Sequence, residues 1–478
     1  MSEEFMRWEV LVKAVWLVVF TMIALIGGCA LVEYQGSVWV YLLFTALSTA
    51  LLFFGFGRGA IFFDAFIGAL LWIGFWLKFS VRIAFMNGAF MVPVGAFEGT
   101  PQSLDQALLV ASCAFAALLL VRFARAQLFC YPQDLAQVAF SGLFALYLRF
   151  RWLALASFIL LVLFVGVSNA WFGIYQRGMV ARTQLPFGLN GVYTWLLTFG
   201  LAAFAAVLLR FEFERNRDQL WLVATLALAE SFVSNVSLMS RGMILNAGAL
   251  IYGGAALFQR VEAKLRAGLL LYVGVLFCAL FVGSVFLVNS ARLNVFYGYS
   301  NEAQGEQKQA ALNQYTAALF IDRWVGIEGV MSVIDKPELG SELFEQALAE
   351  RFDPTVTSFY DKNFINSYHS NTGEDGRHFI SLPGYIAFLF YPGSYLFLFA
   401  AVAVFSIFAA ALEYLTYRFA GRNMVLCALI AQVVAYRFTS FGYVPMQSYK
   451  LFGTIALTIL MLYVADKLCG LLFRRTVA

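Results

Sequence analysis

The chain has 478 residues, 62% of them hydrophobic and only 13% charged, with a mean hydropathy of +0.78. A soluble domain carries about 25% charged residues and is about half apolar, so the composition excludes an ordinary water-soluble enzyme. The net charge of +4 is small, and no nucleic-acid partner is expected.

Repeated apolar runs near 20 residues and 51 phenylalanines point to an all-α polytopic membrane protein. Ten-residue segments with period-two alternation are missing, which argues against a β-barrel. About twelve spans are expected, near 10–32, 37–56, 61–83, 105–123, 152–169, 191–209, 219–237, 242–258, 268–289, 388–414, 423–439 and 450–468. The first run is too long for a cleavable signal and has no cleavage-site pattern, so it reads as the first span. Asp134–Leu148 is apolar but short and sits between two basic clusters; it reads as an interfacial or re-entrant helix. The chain therefore divides into a nine-span region with that interfacial helix (1–289), a long polar loop (290–381) and a three-span region (382–478).

Orientation follows from Lys and Arg. With the N-terminus inside, 18 of the 32 basic residues fall on the cytoplasmic side, nearly all in short connections or at the chain ends. The positive-inside rule then puts both termini in the cytoplasm and the long loop outside. That loop holds seven basic and thirteen acidic residues, both histidines and no cysteine. It contains three helix candidates: Glu302–Phe320, Asp322–Ile334 and Ser341–Phe352. In the second, Trp324, Ile327, Val330, Met331 and Ile334 share one face, so the loop can fold back on the membrane region as a lid or acceptor platform.

Several cations lie on the outer side against the charge trend: Lys78, Arg82, Arg177, Arg182, Arg241, Arg292, Arg377 and Arg437. Singly, an arginine at a span end snorkels to headgroups. As a set they suit a diphosphate, because planar guanidinium forks bind phosphate oxygens bidentately and neutralise charge on a leaving group. His378, beside Arg377 in GEDGRHFISLPG, is a candidate general base; its bland alternative is a loop histidine with a structural hydrogen bond. No metal site is expected: the six cysteines lie in apolar runs or near span ends without a CxxC pair, and two histidines lack an acidic partner set. No Walker, GxGxxG, GxSxG or HExxH motif occurs.

Three local patterns, SRG at Ser240–Gly242, RWVGIEGVM at Arg323–Met331 and FISLPGYIAFLFYPGS at Phe379–Ser394, together with the span layout, make the chain resemble bacterial oligosaccharide repeat-unit polymerases of the Wzy type, related to the O-antigen ligases. An Arg-x10-Gly spacing from Arg177 to Gly188 also fits; the long loop lacks a second one. The resemblance implies a GT-C-like glycosyltransferase of the bacterial inner membrane, without cofactor. It would join undecaprenyl-diphosphate-linked oligosaccharides, in contact with membrane lipid and alongside a chain-length regulator and a flippase. It implies that Arg177, Arg182 and Arg241 hold the diphosphate, that Arg323 and Arg377 bind sugar or phosphate, and that Arg241 and His378 act in catalysis. Two other readings stay open: an O-antigen ligase delivering polymer to lipid A–core, and a transporter of lipid-linked oligosaccharide. The second is disfavoured by spans nearly free of mid-depth charge, Asp64 and Glu230 apart.

Overall fold

A computed structural model describes residues 3–90, 92–132, 140–240, 242–260, 266–297, 322–353, 356–365 and 380–473. Arg241, His369, Arg377, His378 and the helix expected over Glu302–Phe320 lie outside the described residues. The elements of the described residues are all helices.

Among the described residues ten helices are long and apolar enough to cross a membrane. In chain order the main helices are α1 (Glu3–Glu33), α2 (Val38–Gly55), α3 (Phe62–Phe85), α4 (Pro101–Ala126), α5 (Ser141–Arg149), α6 (Arg151–Phe172), α7 (Pro186–Arg215) and α8 (Leu220–Ser237). They continue with α9 (Met243–Arg260), α10 (Ala267–Tyr297), α11 (Ile327–Ile334), α12 (Ser341–Leu348), α13 (Gly384–Leu389), α14 (Tyr395–Phe419), α15 (Met424–Thr439) and α16 (Ser448–Phe473). Each of the twelve expected spans overlaps a helix. Two of these, α9 and the 16-residue α15, are not among the ten that qualify by length and composition.

Local chemistry sets the helix starts. Thr100 accepts from the Ser103 amide at α4, with Pro101 at the first helical position; Ser394 accepts from the Phe397 amide at α14. Both caps satisfy amides that a helix start leaves open. The region read as an interfacial helix is described only from Phe140, where α5 is nine residues long and too short to span. Asp466 of α16 accepts the Gly142 and Leu143 amides and holds it in place.

The short α15 is the centre of the bundle. It packs on α3, α7, α9 and α14, and 13 of its 16 residues are buried. Surrounded by protein, it needs no lipid-matched length. The outer helices α1, α6, α10, α14 and α16 carry the large exposed apolar residues, such as Leu17, Leu160, Leu271, Leu396 and Leu471. In a membrane protein such faces meet acyl chains.

The re-entry after the long loop departs from expectation. The apolar run is not one span from 388. Gly384–Leu389 forms a short buried helix, the chain turns through Gly393 at a φ of +72°, and the spanning helix starts at Tyr395. The break follows from Pro392–Gly393, which stops a helix by removing an amide and adding backbone freedom.

Candidate functional site

Contacts sort the connections onto two ends of the bundle. The α1–α2, α3–α4, α6–α7 and α8–α9 connections, the long loop and the α15–α16 connection share one end, where Asp105 accepts the Ser37 amide, Asp335 the Glu98 amide and Glu350 the Val444 amide. This is the grouping that the charge pattern predicts, whichever side of the membrane that end faces.

The described part of the long loop is docked there. All eight residues of α11 are buried, against α4 and the π-turn of α3. Two ion pairs fix its entry. Lys78 Nζ, 1% exposed as a side chain, lies 2.8 Å from Glu328 Oε1 and also donates to the Asp322 and Trp324 carbonyls. Arg82 pairs with Asp322. The glycines of RWVGIEGVM allow the approach: a Cβ on Gly326 would meet the Gly74 carbonyl oxygen at 1.8 Å, and one on Gly329 the Pro383 carbonyl oxygen at 1.9 Å. Two of the outer cations are thus consumed in holding the loop. Of the expected helical face, Ile327, Val330, Met331 and Ile334 are buried, and Trp324 packs at the core's edge. Ser341–Leu348 is helical as expected but ends short of Phe352.

A second cluster gathers at the end of α15. Arg177 Nη1 donates to the Tyr436 hydroxyl at 3.4 Å, with the guanidinium 5.7 Å from the ring centroid. Arg323 and Arg292 lie close enough to act electrostatically on the same hydroxyl. Arg292 also donates to the Met239 and Arg177 carbonyls, which ties α10 to both short connections. Arg323 lines a small cleft with Leu70, Trp324, Val325, Tyr436 and Thr439.

The two short connections are held rigidly below this cluster. Asn169 in the last turn of α6 donates to the Tyr175 and Ser237 carbonyls and to Ser237 Oγ, and accepts the Tyr175 amide at 2.8 Å. The Arg177 amide donates to the Leu238 carbonyl. The SRG turn closes through the Ser240 hydroxyl, which accepts the Gly242 amide at 3.1 Å. Gly242 sits beside Arg323, 3.8 Å from Nη2 to where a Cβ would stand.

Of the expected site residues, the structure unites Arg177 and Arg323. Arg182 is exposed, its stem lies along Gly173, and among the described residues no contact joins it to Tyr436. Arg437 is occupied with Ser448 and the Phe441 ring. Sequence reasoning missed Tyr436 and counted Arg292 only as one of the outer cations. Their one signal was position: Tyr436 precedes Arg437 at a span end, and Arg292 opens the loop. Glu230, the mid-depth carboxylate, is buried and accepts from the Ser234 hydroxyl at 2.7 Å.

Among the described residues no group of three or more His, Cys, Asp or Glu side chains is placed to hold a metal ion. What the architecture defines is a polytopic helical membrane protein with a structured loop docked over an arginine–tyrosine cluster. No protein-family profile, curated protein or solved structure matches the chain.

Proposed function

We propose that the chain is a glycosyltransferase of the outer membrane leaflet that polymerises lipid-linked oligosaccharide repeats, with undecaprenyl diphosphate as leaving group. The observation that carries this reading is Arg177 bonded to the Tyr436 hydroxyl, with Arg323 lining the same cleft and Arg292 donating to the Arg177 carbonyl, beneath a docked loop.

Charge on a departing diphosphate is stabilised by donors that are already in place and need no reorganisation. Arg177 sits on a connection fixed by Asn169, and Arg323 on a loop entry fixed by two ion pairs. The proposal gives Arg241, next in sequence to Ser240, a diphosphate contact, and gives Arg182, whose stem lies along Gly173, a lesser one. Sugar rings would approach from the loop side, past Trp324. His378, close in sequence to the buried helix α13, is the proposed base for the acceptor hydroxyl, with Arg377 beside it. The absence of a Walker or GxGxxG motif in the sequence agrees with a donor that is lipid-linked and not a nucleotide sugar.

The test uses the purified full chain in lipid with a lipid-linked repeat as the only substrate. The proposal expects a ladder of longer glycans that Arg177→Ala and Arg323→Ala abolish. A chain that is folded but makes no ladder would overturn it. A ladder that appears only when lipid A–core is the acceptor would turn the reading to a ligase.

A further inference from the structure

At the opposite end of the bundle a second group of arginines surrounds a different tyrosine. Arg210 lies in the last turns of α7 and is 3% exposed. One of its terminal nitrogens pairs with Glu214, one turn on. Among the described residues its Nε and Nη1, both buried, have no hydrogen-bond partner. Tyr417, near the end of α14, is 7% exposed, and its hydroxyl also has none. Arg210, Arg260 and Arg422 all act electrostatically on that hydroxyl.

The backbone explains the meeting. Asn423 caps α15 by accepting the Val425 and Leu426 amides and donates to the Ala206 carbonyl at 3.0 Å, one turn before Arg210. The Arg422 amide donates to the Tyr417 carbonyl, with Arg422 held at a φ of +51°, uncommon for a residue with a side chain. Arg260 stacks over Tyr131, whose ring meets Tyr417 edge-on at 5.1 Å. Four helix ends, those of α7, α9, α14 and α15, therefore converge on one spot.

Nearby carboxylates are committed elsewhere. Glu413 accepts the Phe62 and Phe63 amides and the Tyr131 hydroxyl, Asp64 pairs with Arg125, and Glu212 holds Arg151 and Arg215. Among the described residues that leaves Glu214 beside three guanidiniums, of which Arg260 also donates to the Tyr131 and Pro132 carbonyls. An arginine that merely complements a helix C-terminus needs no such burial. Burying a guanidinium with two donors unmet is costly, because each lost its water without gaining a partner.

We infer that this end of the bundle binds a phosphate group, whose oxygens accept from an unpartnered N–H of Arg210 and from the Tyr417 hydroxyl, with Arg260 and Arg422 supplying further positive charge. The chemistry is a phosphate monoester or diester, carried by an anionic phospholipid of the adjacent leaflet or by free phosphate. The site is distinct from the Tyr436 cluster: Arg422 and Tyr436 sit at opposite ends of α15, about 20 Å apart at 1.5 Å per residue.

The experiment is native mass spectrometry of the delipidated full chain with phosphatidylglycerol or phosphatidylcholine, paired with thermal unfolding in inorganic phosphate. Phosphatidylglycerol should bind at least tenfold tighter than phosphatidylcholine. Arg210→Gln should erase that preference and Tyr417→Phe reduce it by roughly threefold. Competition by inorganic phosphate, with a rise in Tm, would mark free phosphate as a sufficient ligand; a lipid preference that phosphate does not touch would mark the headgroup. Equal binding of both lipids with no phosphate effect overturns the site, and so does an Arg210→Gln protein that keeps the preference. Should Arg210→Gln fail to fold, Arg422→Gln and Tyr417→Phe decide: both must weaken the preference, and its survival in both overturns the site.

Discussion

The two ends of the bundle use the same residue types to different purposes. At the loop end, Lys78 and Arg82 are matched one-to-one with Glu328 and Asp322, and these pairs anchor a segment some 240 residues away in sequence. Beside them Arg177 and Arg323 converge on a tyrosine hydroxyl. At the other end, Arg125 and Arg151 are matched with Asp64 and Glu212, while Arg210 keeps two donors unmet. In both places the carboxylates decide what an arginine does. Where a carboxylate pairs with the cation, as at Lys78, Arg82, Arg125 and Arg151, the cation is a structural pin; around Tyr436 and Tyr417, arginines gather about a phenol instead.

The sharpest break in that comparison is at the pins. Glu328→Ala should cost about 3–5 kcal/mol, because it strands Lys78 as an uncompensated buried charge. Thermal unfolding in detergent measures it, and Lys78→Met combined with Glu328→Leu should recover most of the loss. A stable Glu328→Ala protein would show that the pair does not hold the loop.

Next come the converging arginines. Arg177→Ala and Arg323→Ala should each lower the rate of glycan extension about 10²–10³-fold, as losing one positioned charge donor does in other active sites, with unfolding temperature nearly unchanged for Arg323. Arg182→Ala should cost less than tenfold, since its side chain is exposed and outside the Tyr436 cluster. Equal losses at Arg182 and Arg177 would erase the distinction between cluster and rim.

Asn169→Ala tests the scaffold under the cluster. Removing a buried amide that serves Tyr175 and Ser237 should destabilise the protein by about 1–3 kcal/mol and blur chain-length control even at temperatures where the protein stays folded.

The smallest effect concerns Glu350, which accepts the Phe359 and Val444 amides and clasps the loop to the α15–α16 connection. Burial pushes its carboxyl above the ordinary value of 4.5, against the pull of those amides. A raised folded-state pKa favours the protonated form on folding. Its contribution to stability is thus fully present at acid pH and is lost as pH rises from the unfolded value through the folded one. Glu350→Gln should flatten that part of the pH–stability curve above pH 4.5; an unchanged slope would place the carboxyl in water.

Much of the architecture was legible in the sequence. Apolar run length fixes the spans, because backbone amides in lipid must be satisfied within a helix. Periodicity exposed the buried face of Ile327–Ile334, and the Lys and Arg distribution grouped the connections by end. The arginines were visible as a set for the same reason: charge near a span is rare enough to stand out.

What the sequence could not show is which charges meet. Arg82 and Arg177 look alike in a one-dimensional reading, yet one is neutralised by Asp322 and the other turns to Tyr436. That choice rests on contacts between residues about 240 and 259 positions apart, and no local pattern encodes them. The same holds for α15. Its length suggested an ordinary span, but its place at the centre, walled by α3, α7, α9 and α14, is a property of packing alone. Chain-local physics sets which segments enter the membrane; only the tertiary structure decides which helix the others surround, and therefore where the arginines converge.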